Sequence, residues 1–346
     1  MTRPTIADIA RRVGVSKGAV SFALNGRPGV SHATRARILR TAAEMNWRPH
    51  SAARALSGAR ADAVGLVLAR PARTLGVEPF FAQILSGLQA TLSARSIALH
   101  LLVVEDTAAE IEAYRRWVSE HRVDGVVLVD LKARDPRPAA LQELGVPSVV
   151  LGGPGRHGNL SSVWADDRAA MLSIVDYLAA LGHTRIAHVA GLPEFQHTQR
   201  RMRALRDAAD RIGLVEAVSL PTDFSDTEGA ATTRTLLSRT PRPTAIVYDS
   251  DLMAVAGLGV AAEMAVPVPG ELSIVAFDDS VLTRIVHPAL TSLSRDTVAL
   301  GGQVADELLA MIADPARTRN VKSPTPRLTV RESTAPPAVG RNGKAV

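Results

Sequence analysis

Residues 5–56 read TIADIARRVGVSKGAVSFALNGRPGVSHATRARILRTAAEMNWRPHSAARAL. Thr5-Ile6-Ala7-Asp8 has the form of a capping box, with Thr5 as N-cap and Asp8 at the third helical position. Ile6, Ile9, Ala10 and Val13 follow at helical spacing, and Gly14 can end that helix. Ser16 is a second N-cap, and Val20 and Leu24 continue one apolar stripe. Asn25-Gly26-Arg27-Pro28-Gly29 is a turn cluster. Ser31 then caps a third helix, with Ile38, Leu39, Ala42 and Met45 expected to face inward. The reading is three short helices, the first two joined by a tight turn at helix-turn-helix spacing. Arg3, Arg11, Arg12, Lys17, Arg27, Arg35, Arg37 and Arg40 fall at polar positions, opposed before residue 47 by Asp8 and Glu44 alone. A small bundle needs solvated positions, but not of one sign.

The remaining chain lacks this bias. Its 346 residues carry 40 Lys+Arg and 34 Asp+Glu, a net +6. Residues 1–62 hold 11 basic and 3 acidic residues, a net +8; the other 29 and 31 leave the rest at −2. A basic head on a near-neutral body points to a polyanion-binding module joined to something else. Hydrophobic residues make up 46%, which excludes disordered and collagen-like classes. There is no cysteine, so disulfide staples, thiol catalysis and cysteine-based metal sites are excluded. The N-terminal residues lack a signal-peptide core and no run reaches a membrane span, so a cytoplasmic location is expected.

Residues 5–56 resemble the head of a LacI/GalR-family transcriptional regulator. The resemblance rests on Thr5, Ile6, Asp8, Ala10, Gly14-Val15-Ser16, Val20-Ser21, Leu24-Asn25, Val30-Ser31, Thr34-Arg35, Asn46-Trp47, Pro49 and Leu56. It implies that Lys17, Gly18 and Phe22 face the major groove from a recognition helix. It implies phosphate contacts by Ser16, Ser21, Asn25, Ser31 and Thr34, and places Thr5 among the DNA-binding residues. Phe22 stands where an arginine is commonest in the family, and Gly18-Ala19 offer little to a base edge. The operator is therefore not transferable from better-known relatives.

Pro49–Ser57 has proline at a plausible helix start and Gly58 just past its end, yet it is too short to be stable alone. By composition it could equally be a plain linker. The resemblance implies a hinge helix that orders in the minor groove, with Leu56 wedging between base pairs, Ala53 in the groove and Arg54 beside the phosphates.

From residue 62 the pattern alternates strand and helix. Expected strands are 64–68, 97–104, 125–129, 148–151, 185–190, 218–220, 245–248 and 273–276. Expected helices are 80–95, 108–120, one from Asp167, 200–212, 228–238 and 252–264, with a Pro-rich loop before Ser148. So many βα units exceed one sheet, so the expected fold is α/β with two similar lobes of parallel sheet. The resemblance continues in Pro79-Phe80-Phe81, Leu181–Ile186, Asp251–Ala254, Phe277-Asp278-Asp279, Pro288–Thr291 and Val330–Thr334. It implies a two-lobed effector domain of the periplasmic-binding-protein type I architecture. The expected division is 1–47 for the head, 48–61 for hinge and linker, and 62–334 for the effector domain. Within it the N-lobe spans about 62–180 and 294–323, and the C-lobe 181–293 and 324–334. Residues 335–346 read as a disordered tail.

Effector contacts are expected where strands end at the interlobe cleft. Candidates are Phe81, Asp166, His197, Arg201, Phe224, Ser250, Asp278 and Arg295. Carboxylates accept from sugar hydroxyls, arginine gives fixed donors, and an aromatic ring covers a pyranose or a base. Ser250 and Ala204-Leu205 depart from the family pattern, which leaves ligand identity open. Other signals are weaker. Gly257–Ala262 fits a dinucleotide fingerprint but lies inside a helical pattern, and Gly152–Gly155 lacks the Lys-Ser/Thr of a phosphate loop. His183 and His188 lack companion ligands for a metal. No catalytic set, cofactor or metal site is found. The expectation is a homodimeric repressor of a palindromic double-stranded operator, controlled by a small molecule, a sugar before a purine or a protein corepressor. An enzyme, a soluble sugar-binding protein and a membrane protein are set aside.

Overall fold

The computed structural model describes residues 4–47, 60–70, 78–154, 157–158 and 160–338. The chain divides into two units, Met1–Ala61 and Asp62–Val346.

The first unit contains α1 (Ile6–Val13), α2 (Lys17–Leu24) and α3 (His32–Glu44). Both bonds of the Thr5–Asp8 capping box form, and Gly14 closes α1 at φ 74°, its N–H on Ala10 O. Ser16 Oγ accepts the Ala19 N–H at 3.1 Å and Ser31 Oγ the Thr34 N–H at 3.2 Å. Ile9, Ala10, Val13, Val20, Ala23, Ile38 and Ala42 form one core. Full burial of an isoleucine contributes roughly 1.5–3 kcal/mol, so Ile9 and Ile38 dominate so small a centre. Leu39 does not face inward; it is 47% exposed, and Thr41 is buried. The buried stripe runs through Ile38 and Ala42, and Leu39 lies about 100° further around the helix. The hinge residues Ala53, Arg54 and Leu56, with Pro49–Ser57 as a whole, fall outside the described residues.

The second unit holds two six-stranded sheets. The first uses β1 (Ala63–Leu68), β2 (Ala98–Val103), β3 (Gly125–Leu128), β4 (Ser148–Leu151), β5 (Ser161–Trp164) and β11 (Asn320–Lys322). Their order is β11-β5-β4-β3-β1-β2 and all are parallel. The second uses β6 (Arg185–Ala190), β7 (Glu216–Pro221), β8 (Ala245–Tyr248), β9 (Ser273–Ala276), β10 (Thr291–Ser294) and β12 (Arg327–Thr329). Their order is β12-β10-β9-β8-β6-β7, with only β12 antiparallel. The central strands are wholly buried apolar runs, as parallel sheets covered on both faces require.

The covering helices are α4 (Pro79–Ser93), α5 (Thr107–Ser119), α6 (Arg137–Glu143), α7 (Asp167–Ala180), α8 (Gln196–Ile212), α9 (Asp226–Leu237), α10 (Asp251–Glu263), α11 (Val281–Ile285) and α12 (Thr297–Ala313). α6 stands where a Pro-rich loop was expected, because proline is tolerated in a first helical turn. α7 overturns the expected lobe boundary at 180. Its Ala170, Met171, Ile174, Val175 and Leu178 pack with Ile186, Ala204, Leu205, Val247 and Phe277 of the second lobe. The first crossing therefore falls between Trp164 and Asp167. The chain returns between β10 and α12, and crosses again between β11 and β12. Ala335, placed in the tail by composition, is tied down: its carbonyl takes His183 Nε2 at 3.0 Å and Ser273 Oγ at 3.1 Å.

Candidate functional site

In the head, α2 buries Val20 and Ala23 and leaves Ser16, Lys17, Gly18, Phe22 and Asn25 exposed, with Ser21 half-buried on the same side. Phe22 is 41% exposed, and its ring lies against Gly29. Asn25 Nδ2 donates to Ser21 O at 2.9 Å, fixing the end of α2. Ser31 Oγ donates to Thr34 Oγ1 at 2.9 Å, so the two hydroxyls stand together at the start of α3. Thr5 is committed to the cap: its N–H and its hydroxyl both donate to Asp8, at 2.9 and 2.7 Å. Two of the basic residues act as braces. Arg37 Nη2 donates to Val13 O at 2.8 Å, and Arg35 to Arg27 O. The result is a helix whose exposed face carries Lys17, Gly18, Ser21 and Phe22, with hydroxyls at the helix starts. That arrangement suits a helix entering a groove between phosphates.

The second unit has a cavity between its lobes with a free volume of about 80 Å³. Six of the eight expected residues line it: Phe81, His197, Arg201, Phe224, Asp278 and Arg295. Asp166 does not. It caps α7 by accepting the Ala169 N–H at 3.0 Å and pairs with Lys322 at 2.8 Å. Its neighbour Asp167 lines the cavity instead. Ser250 is spent as the buried cap of α10, on the Met253 N–H at 3.2 Å, and Asp249 lines the cavity in its place. In both cases the cavity-lining residue is the immediate neighbour at a strand-to-helix join. Arg70, Glu78 and Asp130 also line the cavity and were missed. Arg70 and Asp130 follow the ends of β1 and β3, positions that the strand-end rule could have flagged.

The charges are organised in pairs. Arg201 meets Asp249 at 3.0 Å and Asp167 at 3.3 Å, and lies 3.7 Å from the centre of the Phe277 ring. Arg295 pairs with Asp278 and lies over Phe80. Arg70 pairs with Asp130 at 2.8 Å and Glu78 at 3.4 Å. Asp249 also accepts from Gly191 N–H at 2.8 Å and faces His188 Nε2 at 3.0 Å. Arg201 beside it, with these bonds, holds its carboxyl well below the ordinary range. Burial pushes Glu78 up to about 7 against the pull of Arg70. Burial, with Arg201 adding to it, takes His197 down to about 4, so that ring is neutral near pH 7. Five carboxylates and three arginines line the cavity. The Nε atoms of Arg201 and Arg295 are buried donors without a partner among the described residues. Such a lining suits neutral hydroxyl-rich molecules: carboxylates accept, spare guanidinium N–H groups donate, and a surplus of negative charge repels anions.

Aromatic placement is specified by backbone. Phe224 sits at φ 70° and Asp130 at φ 54°. A phenylalanine in that region is an outlier that only a determined surrounding maintains. Gly191 makes room for the ring: a Cβ there would lie 1.8 Å from Phe224 Cζ. Across the cleft the lobes are bridged by backbone, Gln196 N–H to Leu131 O at 2.8 Å and Ala133 N–H to Glu194 O at 3.0 Å.

The other signals resolve as packing. Gly257 lies within α10 against the Tyr248 hydroxyl. His183 bridges Thr244 and Ala335. Asp279 is held by Arg331 at 2.9 Å through both oxygens. Among the described residues no cluster of metal-ligating side chains occurs, and no helix is long and apolar enough to cross a membrane.

Residues 5–50 match the family described as bacterial regulatory proteins, lacI family, and residues 175–334 the periplasmic binding protein-like domain. The chain is 33% identical over 323 residues to the HTH-type transcriptional regulator CelR of Thermobifida fusca, covering 91% of this chain and 95% of that one. It is 26% identical to the ribose operon repressor of Escherichia coli K12, over 95% and 99% of the two chains. A solved complex of CelR with cellobiose superposes with TM-score 0.72 at 32% identity, over 96% of this chain and all of that one. The lac repressor dimer bound to operator and the anti-inducer ONPF shares the fold, with TM-score 0.82 at 23% identity over 96% and 100%.

Proposed function

The chain belongs to the LacI family of bacterial transcriptional regulators, DNA-binding repressors with an effector domain and not enzymes, and from that premise we propose that its effector is a neutral sugar of the disaccharide class bound between the lobes. The carrying observation is the cavity lining: aromatic rings from both lobes and five carboxylates against three arginines. A sugar phosphate or uronate would add negative charge to that surplus. Cellobiose is the ligand of the CelR complex, which makes it the first molecule to try. Asp278, Asp167 and Asp130 would accept from hydroxyls, Arg201 and Arg295 would donate, and Phe224 and Phe81 would cover the ring. A purine is the second reading, favoured by Phe81 from one lobe and Phe224 from the other in the cavity lining.

The head works as a pair. Two copies on a palindrome place two α2 helices in successive major grooves. Ser16, Ser21, Asn25, Ser31 and Thr34 would hold phosphates, while Lys17 would face base edges in the major groove, Gly18 lets the backbone approach and Phe22 offers apolar contact to a thymine methyl. The hinge residues Ala53, Arg54 and Leu56 would enter the minor groove. A DNA-bound regulator of bacterial genes works in the cytoplasm.

The test is a thermal-shift panel of cellobiose, maltose, ribose and hypoxanthine, followed by operator binding with each hit. Stabilisation by a neutral sugar, with changed operator affinity, is expected. Stabilisation by hypoxanthine alone would replace the sugar reading by the purine one.

A further inference from the structure

Arg70 has no role in that reading, yet it holds the most aromatic part of the cavity. Its guanidinium carbon lies 4.8 Å from the centre of the Phe224 ring, 5.0 Å from Phe195 and 5.3 Å from Phe81. Asp130 and Glu78 close the remaining sides, at 2.8 and 3.4 Å. Phe81, Asp130 and Glu78 belong to the first lobe; Phe195 and Phe224 belong to the second. Arg70 is 5% exposed, so the contact is desolvated, where cation–π attraction is worth most.

We propose that Phe81, Phe195, Phe224, Asp130 and Glu78 form a cation subsite within the cleft, occupied by Arg70 as a tethered ligand, and that the effector ring gains its stacking position by displacing Arg70. This rests on the reading of the cleft as the effector site. The physical argument is one of space. About 80 Å³ remains beside Arg70, against several hundred Å³ for ordinary ligand pockets. A pyranose cannot stack on Phe224 while a guanidinium lies over the same ring. The guanidinium suits a subsite of this kind because it is planar, stacks on rings, and offers directed N–H groups to two carboxylates at once. An arginine present nine-tenths of the time lowers the affinity of a competing ring about tenfold. Arg70 thereby sets the effector concentration at which the repressor responds.

The experiment compares the intact chain with Arg70→Ala and with Arg70→Ala/Glu78→Gln, the second variant avoiding an unpaired buried glutamate. Methylguanidinium, methylammonium and sodium chloride at equal ionic strength are titrated in thermal unfolding. The sugar panel is then titrated by calorimetry. Methylguanidinium is expected to raise the Tm of Arg70→Ala, and that of the double variant less, while leaving the intact chain unmoved. The sugar that binds is expected to bind Arg70→Ala about tenfold more tightly, with methylguanidinium as a competitor. No rescue, rescue equalled by methylammonium, or weaker sugar binding in both variants would overturn the proposal. Rescue without any sugar binding would keep the subsite and remove the sugar reading, so the two fail separately.

Discussion

Gly191 shows what single residues contribute to the cleft. With no side chain it admits the Phe224 ring, and its N–H anchors Asp249. Gly191→Ala should displace that ring and lower effector affinity at least tenfold with little effect on operator binding, measured by calorimetry beside DNA titration. Glu78 gives a pH signature. Its folded pKa of about 7 lies above the ordinary 4.5, so the folded state binds its proton more tightly. That stabilisation is complete below pH 4.5 and is lost as pH rises through 7. Denaturant unfolding at pH 5 and pH 8 should therefore show Glu78→Gln gaining stability relative to the parent on going to pH 8. Six of the eight expected residues line the cavity: Phe224, Asp278 and Arg295 follow strand ends, and Phe81, His197 and Arg201 stand near helix starts. Asp167 and Asp249 were not legible, since sequence cannot fix a one-residue register at a helix start. Arg70 was missed although it follows the end of β1, because a position after a strand end does not say whether a charged side chain there turns inward.

At the scale of elements, caps and turns carried most of the legible information. Thr5, Gly14, Ser16 and Ser31 stand at helix ends as their side chains demand. Losing the Ser16 cap in Ser16→Ala should cost roughly 1 kcal/mol. It should also weaken DNA binding, because the same hydroxyl is proposed to meet a phosphate. Lys17→Ala should weaken operator binding and relax specificity at the base pair it faces; fluorescence anisotropy with the operator and its single-base variants reads both. Element boundaries were less legible than element types. α6 was hidden by prolines that read as loop, and α7 was assigned to the wrong lobe because apolar spacing shows that a helix has a buried face but not which sheet covers it.

At the scale of the whole molecule the argument is one of linkage. The central proposal is that an effector acting on the two lobes, which three crossings join, changes how the head binds operator. If operator binding and effector binding favour different lobe arrangements, each changes the affinity for the other by the same factor. The charge map supports the division of labour: +8 in residues 1–62 and −2 in the remainder. It also predicts that operator binding falls steeply with salt through counterion release, whereas effector binding by a neutral sugar does not. The most direct measurement is the affinity of the full-length chain for a palindromic duplex that it selects from random sequence, with and without a saturating sugar that stabilises it. The account predicts a change of about 5- to 150-fold, with the reciprocal change in sugar affinity on DNA. Equal affinity in both conditions would contradict it.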